Sequence, residues 1–190
     1  MERTTLNNMK IIQSILNNKF PFPWVNLEFL PNSDGKHLEV YLRDDTDPIF
    51  GMIDMFNTLF LNSVDHIYVY NSNWWDFSLE TWDIKSGKSD YTIDNQKSDD
   101  TRKYLKMLYE NDIPLGFKGS CSCQNWEQFL LTILPCIVNH KAPYSPLFFF
   151  DNYDIFFYFH YSGSIGFYYK DSNRFIEKLI EHVTINYIIN

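Results

Sequence analysis

"DIFFYFHYSGSIGFYYKD", residues 154–171, is the stretch on which the fold turns: two aromatic runs separated by Ser162 and Gly163. With Ser162-Gly163 as a two-residue loop, Tyr161 faces Ser164, His160 faces Ile165, Phe159 faces Gly166 and Tyr158 faces Phe167. That register sets Phe156, Tyr158, His160, Ile165, Phe167 and Tyr169 on one face of a hairpin and Ile155, Phe157, Phe159, Tyr161 and Tyr168 on the other. Both faces are aromatic, so the two strands are expected at the centre of a sheet and covered on both sides. Gly166 leaves bare backbone over which the Phe159 ring could lie.

Working outward, Phe175, Ile176, Leu179, Ile180, Val183 and Tyr187 form the stripe of a terminal helix that docks on the sheet, and "PLFFF" before the hairpin reads as a further strand. Asn125 followed by Gln128 resembles a capping box, opening a helix with Trp126, Phe129, Leu130, Ile133 and Ile137 on one face, bent or ended at Pro135. Ser98 before Asp99 and Asp100 starts another, with Tyr104, Leu105 and Leu108 apolar, and Asp47-Pro48 a third, with Ile49, Met52, Ile53, Phe56, Leu59 and Phe60. Residues 5–18 carry apolar side chains at helical spacing, residues 24–42 read as a hairpin turning at "PNSDGK", and 66–71 with 75–84 read as a second strand pair. Residues 85–97 form a polar loop. Helices and hairpins interspersed in this way predict one α+β domain over residues 1–190, a largely antiparallel sheet with helices packed on it.

The length of 190 residues and 45% hydrophobic content supply one substantial core. No signal-peptide pattern opens the chain, no window is apolar enough to span a membrane, and the three cysteines are an odd number, so a soluble cytoplasmic protein with free thiols is expected. Net charge is −8: residues 44–100, with twelve acids against three lysines, carry −9, and the rest of the chain sums to +1. Such a field repels nucleic acid and favours a basic partner.

Within that acidic third, Trp74, Trp75 and Trp82 are interleaved with Asp76, Glu80 and Asp83, with Asp90 and Asp94 nearby. Tryptophans ringed by carboxylates fit an interface for a basic protein; the same residues could instead finish the core beneath a polar strand. Catalysis would centre on His160 with Ser162 or Ser164, yet "GSIG" is not a nucleophile elbow and no carboxylate is placed to orient the imidazole. Cys121, Cys123, Cys136 and His140 were they gathered could hold zinc, but the spacing lacks paired C-x-x-C knuckles. "SGKSD" at 86–90 lacks the upstream glycine and strand of a phosphate loop. No cofactor or metal is expected.

"SCSCQNWEQFLLTILPCI" followed by "YSPLFFFDNYDIFFYFHYSGSIGFYYKDSNRFIEKLIEHV", within residues 119–185, resembles the C-terminal part of small acidic immunity proteins encoded beside bacterial polymorphic toxins. The resemblance implies a non-enzymatic cytoplasmic protein that binds a toxin domain of a contact-dependent or secreted effector, often a basic nuclease, and occludes its active site or an essential surface. It assigns no binding residue. Two alternatives stand beside it: a small hydrolase or metal-dependent enzyme centred on His160 or the Cys121/Cys123/Cys136/His140 group, and an acidic adaptor subunit of a larger assembly.

Overall fold

The aromatic hairpin lies at the middle of an eight-stranded antiparallel sheet in the computed structural model, which describes residues 10–15, 19–42, 47–60, 62–171 and 174–189. In chain order the elements are β1 (Ile12–Ser14), β2 (Lys36–Tyr41), α1 (Pro48–Phe60), β3 (Ile67–Asn71), β4 (Trp82–Asp83), β5 (Lys88–Ser89), α2 (Asp99–Glu110), β6 (Gly119–Cys123), α3 (Trp126–Val138), β7 (Leu147–Phe150), β8 (Ile155–His160), β9 (Ser164–Tyr169), α4 (Arg174–Asn186) and β10 (Ile188–Ile189). The sheet order is β1-β6-β3-β7-β8-β9-β2-β10, and β4 with β5 form a separate two-stranded ribbon. The expected α+β architecture is the one observed.

The helix starts follow local chemistry. Asp47 Oδ1 accepts from the amides of Ile49 and Phe50 at the head of α1, Ser98 Oγ accepts from Thr101 N at α2, and Asn125 Oδ1 accepts from Gln128 N at α3. Each cap satisfies amides that the first turn leaves without an internal partner. Pro135 sits inside α3, which continues to Val138.

The helices bury Met52, Phe56, Phe60, Leu105, Leu108, Phe129, Ile133 and Val183 against Val69, Phe148, Phe157, Phe159, Ile165 and Phe167 of the sheet. On its opposite face a smaller cluster gathers Phe22, Leu147, Phe149, Phe156 and Tyr168, roofed by Phe20, Trp24, Val25 and Leu30. The central strands are therefore covered on both sides, one roof being an irregular segment rather than a helix.

Four expectations need correction. The first is the register of the hairpin, where His160 faces Ser164, Phe159 faces Ile165, Tyr158 faces Gly166 and Phe157 faces Phe167. The loop has three residues, Tyr161 to Gly163, with Gly163 at φ +85°. Ile165, Phe167 and Tyr169 thus join Ile155, Phe157 and Phe159 on the helix-covered face, and Tyr158, not Phe159, lies over Gly166.

The second concerns residues 5–18, whose described part is not helix: Ile12–Ser14 is strand, held because the Asn111 side chain accepts the amides of Ile11 and Ile12 at 2.6 and 3.1 Å. The rest of that stretch, apart from residues 10–15, lies outside the described residues. Third, residues 24–32 are not the first arm of a hairpin. Asn26 Oδ1 captures the amides of Glu28 and Phe29, and Pro31 enters a 3-10 turn, Leu30–Asn32, so only β2 is strand. Fourth, of residues 75–84 only Trp82–Asp83 is strand, paired with Lys88–Ser89 in the supposed loop instead of with β3. Residues 119–123, for which the sequence predicted no element, supply β6 beside β3.

Candidate functional site

Two adjoining cavities open where the sheet divides. Pairing of β3 with β7 ends at Tyr70 opposite Leu147, and pairing of β8 with β7 ends at Phe157 opposite Phe148. Pro146 has no amide with which to extend β7, and beyond it the amide of Phe159 turns to the Ser145 hydroxyl at 3.1 Å. One cavity, of about 450 Å³, runs from Leu79 and His140 to Tyr161; the other, of about 700 Å³, runs from Leu27 and Phe29 to Ser72. They share Leu30, Tyr144, Ser145 and His160, and so form one cleft beside the hairpin tip.

At that tip stand the polar groups singled out in the sequence. His160 Nδ1 is 2.6 Å from Ser162 Oγ and accepts the Ser162 amide at 3.4 Å; Ser162 Oγ is 3.4 Å from Ser164 Oγ; and Ser164 Oγ donates to Glu39 Oε1 at 2.5 Å. A carboxylate is present after all, but at the wrong end. With Nδ1 accepting the amide, the Ser162 proton goes to His160, while the Ser164 proton goes to Glu39. The carboxylate therefore orients a serine, and the imidazole has no acid behind it to stabilise a positive ring. The arrangement fastens the loop to β2, which is how a three-residue turn with a left-handed glycine keeps one register.

The proposed zinc ligands do not converge. Among the described residues no three His, Cys, Asp or Glu side chains are placed to hold a metal ion. All three cysteines are free thiols. Cys136 Sγ donates to the Thr132 carbonyl within α3, and the His140 ring packs on Tyr161 with centroids 4.7 Å apart. Burial pushes the Cys123 and Cys136 thiols up to about 12 and Cys121 higher still, which suppresses thiolate.

The acidic third is placed differently from the expected interface. Trp74 and Trp75 are 0% and 2% exposed; their indole N–H groups donate to the carbonyls of Gly119 at 2.8 Å and Pro114 at 2.7 Å. They are core residues and cannot serve as anchors for a partner. Several carboxylates are structural as well. Asp76 accepts from Ser89 at 3.1 Å and Tyr91 at 2.7 Å, besides Asn73. Glu80 pairs with Lys141 at 2.8 Å and accepts from Ser98, and Asp90 pairs with the buried Lys97 at 2.9 Å. Asp83 and Asp94 cap the amides of Lys85, Ser86 and Gln96. Burial opposes ionisation of Glu80 but is outweighed by Lys141, Ser98 and Thr101, which hold its carboxyl at about 2. Asp90 is held below the usual carboxylate range by Thr92 and Lys97, and Asp83 by Ser86 and the Lys85 amide.

Among the large apolar side chains that stay outside, Trp82, 54% exposed, and Ile84, 87% exposed, stand on the β4–β5 ribbon, with Leu79, 55% exposed, just before it and Ile93 after it. Sequence reasoning named Trp82 but missed Ile84, whose position at the ribbon's turn could have been read from the Asp83-to-Lys88 spacing. Comparisons with family models, with curated proteins and with solved structures find no match. No helix among the described residues is long and apolar enough to cross a membrane.

Proposed function

We propose that this chain is an immunity-type inhibitor: a cytoplasmic, non-enzymatic protein that binds a basic toxin domain and occludes its active site or an essential surface. The observation that carries the reading is the β4–β5 ribbon, which holds Trp82 and Ile84 out in solvent beside carboxylates kept ionised by their own hydrogen bonds. Large apolar side chains exposed together are characteristic of contact surfaces, and aromatic anchors dominate the energy of such contacts. A net charge of −8 draws a basic partner toward the surface before contact. The resemblance over residues 119–185 supports the same class. Because the carboxylates are fixed by internal donors before the partner arrives, little side-chain freedom is lost on docking. Inhibition then needs no bond to be made or broken by this protein.

The test is capture from native lysate with a tagged copy, washed at low and at high salt and identified by mass spectrometry. The expected result is the basic C-terminal domain of a large secreted protein, retained at low salt and lost at high salt. A Trp82→Ala/Ile84→Ser variant should fold as the parent does and capture none. Equal capture by the variant would remove the ribbon from the interface, and recovery of no toxin domain would defeat the reading.

A further inference from the structure

The cleft beside the hairpin tip carries a second assignment, which rests on the inhibitor reading and extends it. Its walls are aromatic: Phe29 at 57%, Tyr161 at 51% and Tyr144 at 41% exposure stand on the rim, with Tyr158 deeper. No lysine or arginine is among the described residues lining either cavity, whereas Glu28 is. Two further carboxylates make themselves felt there. Burial raises the phenols of both Tyr144 and Tyr158; the Asp76 charge adds to this at Tyr144, where the Ser72 hydroxyl works against it, and the Glu39 charge adds to it at Tyr158. Glu39 and Asp76 accept from hydroxyl and amide groups, which are neutral, so these contacts leave their charge uncancelled.

Aromatic faces under a negative potential, with the imidazoles of His140 and His160 packed on Tyr161 and no lysine or arginine on the walls, are surroundings that hold an organic cation. We infer that the cleft receives an arginine side chain of the basic partner, its guanidinium lying against the tyrosine faces with Glu28 as counter-charge. Arginine fits better than lysine because its planar, weakly hydrated head stacks on rings and keeps in-plane donors for a carboxylate. The place is continuous with the ribbon: Leu79 lines the cleft and begins the 3-10 turn, Leu79–Thr81, that leads into Trp82. A partner seated on Trp82 and Ile84 therefore has the cleft within reach of an adjoining loop.

The probe is N-acetyl-arginine amide, titrated into the 15N-labelled protein, with N-acetyl-citrulline amide as the neutral isostere. The arginine probe should move resonances of Phe29, Tyr144 and Tyr161 saturably, with a dissociation constant of about a few millimolar and about tenfold tighter than citrulline. Glu28→Gln and Tyr144→Leu should each weaken it several-fold while leaving the rest of the spectrum in place. Equal binding of citrulline, shifts confined to other surfaces, or no saturable shift would each overturn the assignment. None of those results touches the inhibitor reading, which stands or falls on capture of the toxin domain.

Discussion

Gly166 shows how much one missing Cβ can decide. The ring of Tyr158 crosses it so closely that an ideal Cβ built there would lie 2.4 Å from the ring. Gly166→Ala should therefore cost about 1–3 kcal/mol in urea unfolding, and the cost should shrink in a Tyr158→Ala background, the non-additivity expected of residues in contact. That an aromatic residue shields this glycine was legible in the sequence; which residue was not. Both faces of the hairpin are aromatic, so the alternation that normally fixes register had no polar face to set against an apolar one. Gly163 serves a two-residue or a three-residue loop equally well, and the tie between Ser164 and Glu39 that selects the longer one joins residues far apart in the chain. The cysteines give a second check at this scale. With all three thiols held well above their ordinary range by burial, a disulfide reagent at pH 8 should label the native protein far more slowly than the urea-unfolded chain. Rapid native labelling would contradict the packing described.

At the level of elements, the helices were readable because each carries its start signal beside its apolar stripe: Asp47 with Pro48, Ser98 with two acids, Asn125 with Gln128. Strands were readable where β-branched or aromatic residues dominate. Missed were β1, β5, β6 and β10, of which β1, β6 and β10 pair with strands distant in the chain. Ile12–Ser14 is strand because it pairs with Cys121–Cys123 of β6, and its start is held by Asn111, at the C-terminal end of α2, which accepts the Ile11 and Ile12 amides while its own Nδ2 donates to the Met107 carbonyl at 2.7 Å. Asn111→Ala should cost about 2–4 kcal/mol, since it strips partners from buried amides, and hydrogen exchange at Ile12 should rise sharply. Exchange unchanged at Ile12 would refute the tether.

Glu80 with Lys141 is one of the links between α3's C-terminal side and the acidic third, beside the Leu79 amide that donates to the Lys141 carbonyl at 2.7 Å. The Glu80 carboxyl titrates at about 2 in the folded chain against an ordinary 4.5, so the native state holds fewer protons than the unfolded one between those values. The stabilisation is complete above about 4.5 and is lost as pH falls toward 2. A Glu80→Gln variant should accordingly show a flatter loss of stability in that acid window than the parent, followed by chemical unfolding at a series of pH values.

For the molecule as a whole, composition and pattern conveyed the fold class, while the surface was read less well. Charge counted along the chain cannot tell a solvated carboxylate from one that holds a loop, and Asp76 and Glu80 are of the second kind. Nor can it tell a buried tryptophan from an exposed one: Trp74 and Trp75 complete the core while Trp82, a few residues on, does not. Electrostatic steering is thus best tested at turn positions where asparagine keeps an amide oxygen for the capping bond, as at Asp83 and Asp94. Asp83→Asn with Asp94→Asn should slow association with the captured partner at low ionic strength and leave dissociation nearly unchanged, measured by surface-based kinetics. An unaltered association rate would separate the acidic third from recognition.

The order of the central sheet bears on the time the chain needs to become whole. β2 lies between β9 and β10, and its Glu39 is 125 positions from the Ser164 to which it bonds. At ribosomal speeds of about 5–20 residues per second, residues 36–41 wait on the order of ten seconds for a neighbouring strand to be made. For that interval a strand with neither edge paired is offered to whatever is near, so shielding by a chaperone during synthesis should raise the yield of folded protein. A chain built this way completes its sheet only after β9 and β10 have left the ribosome.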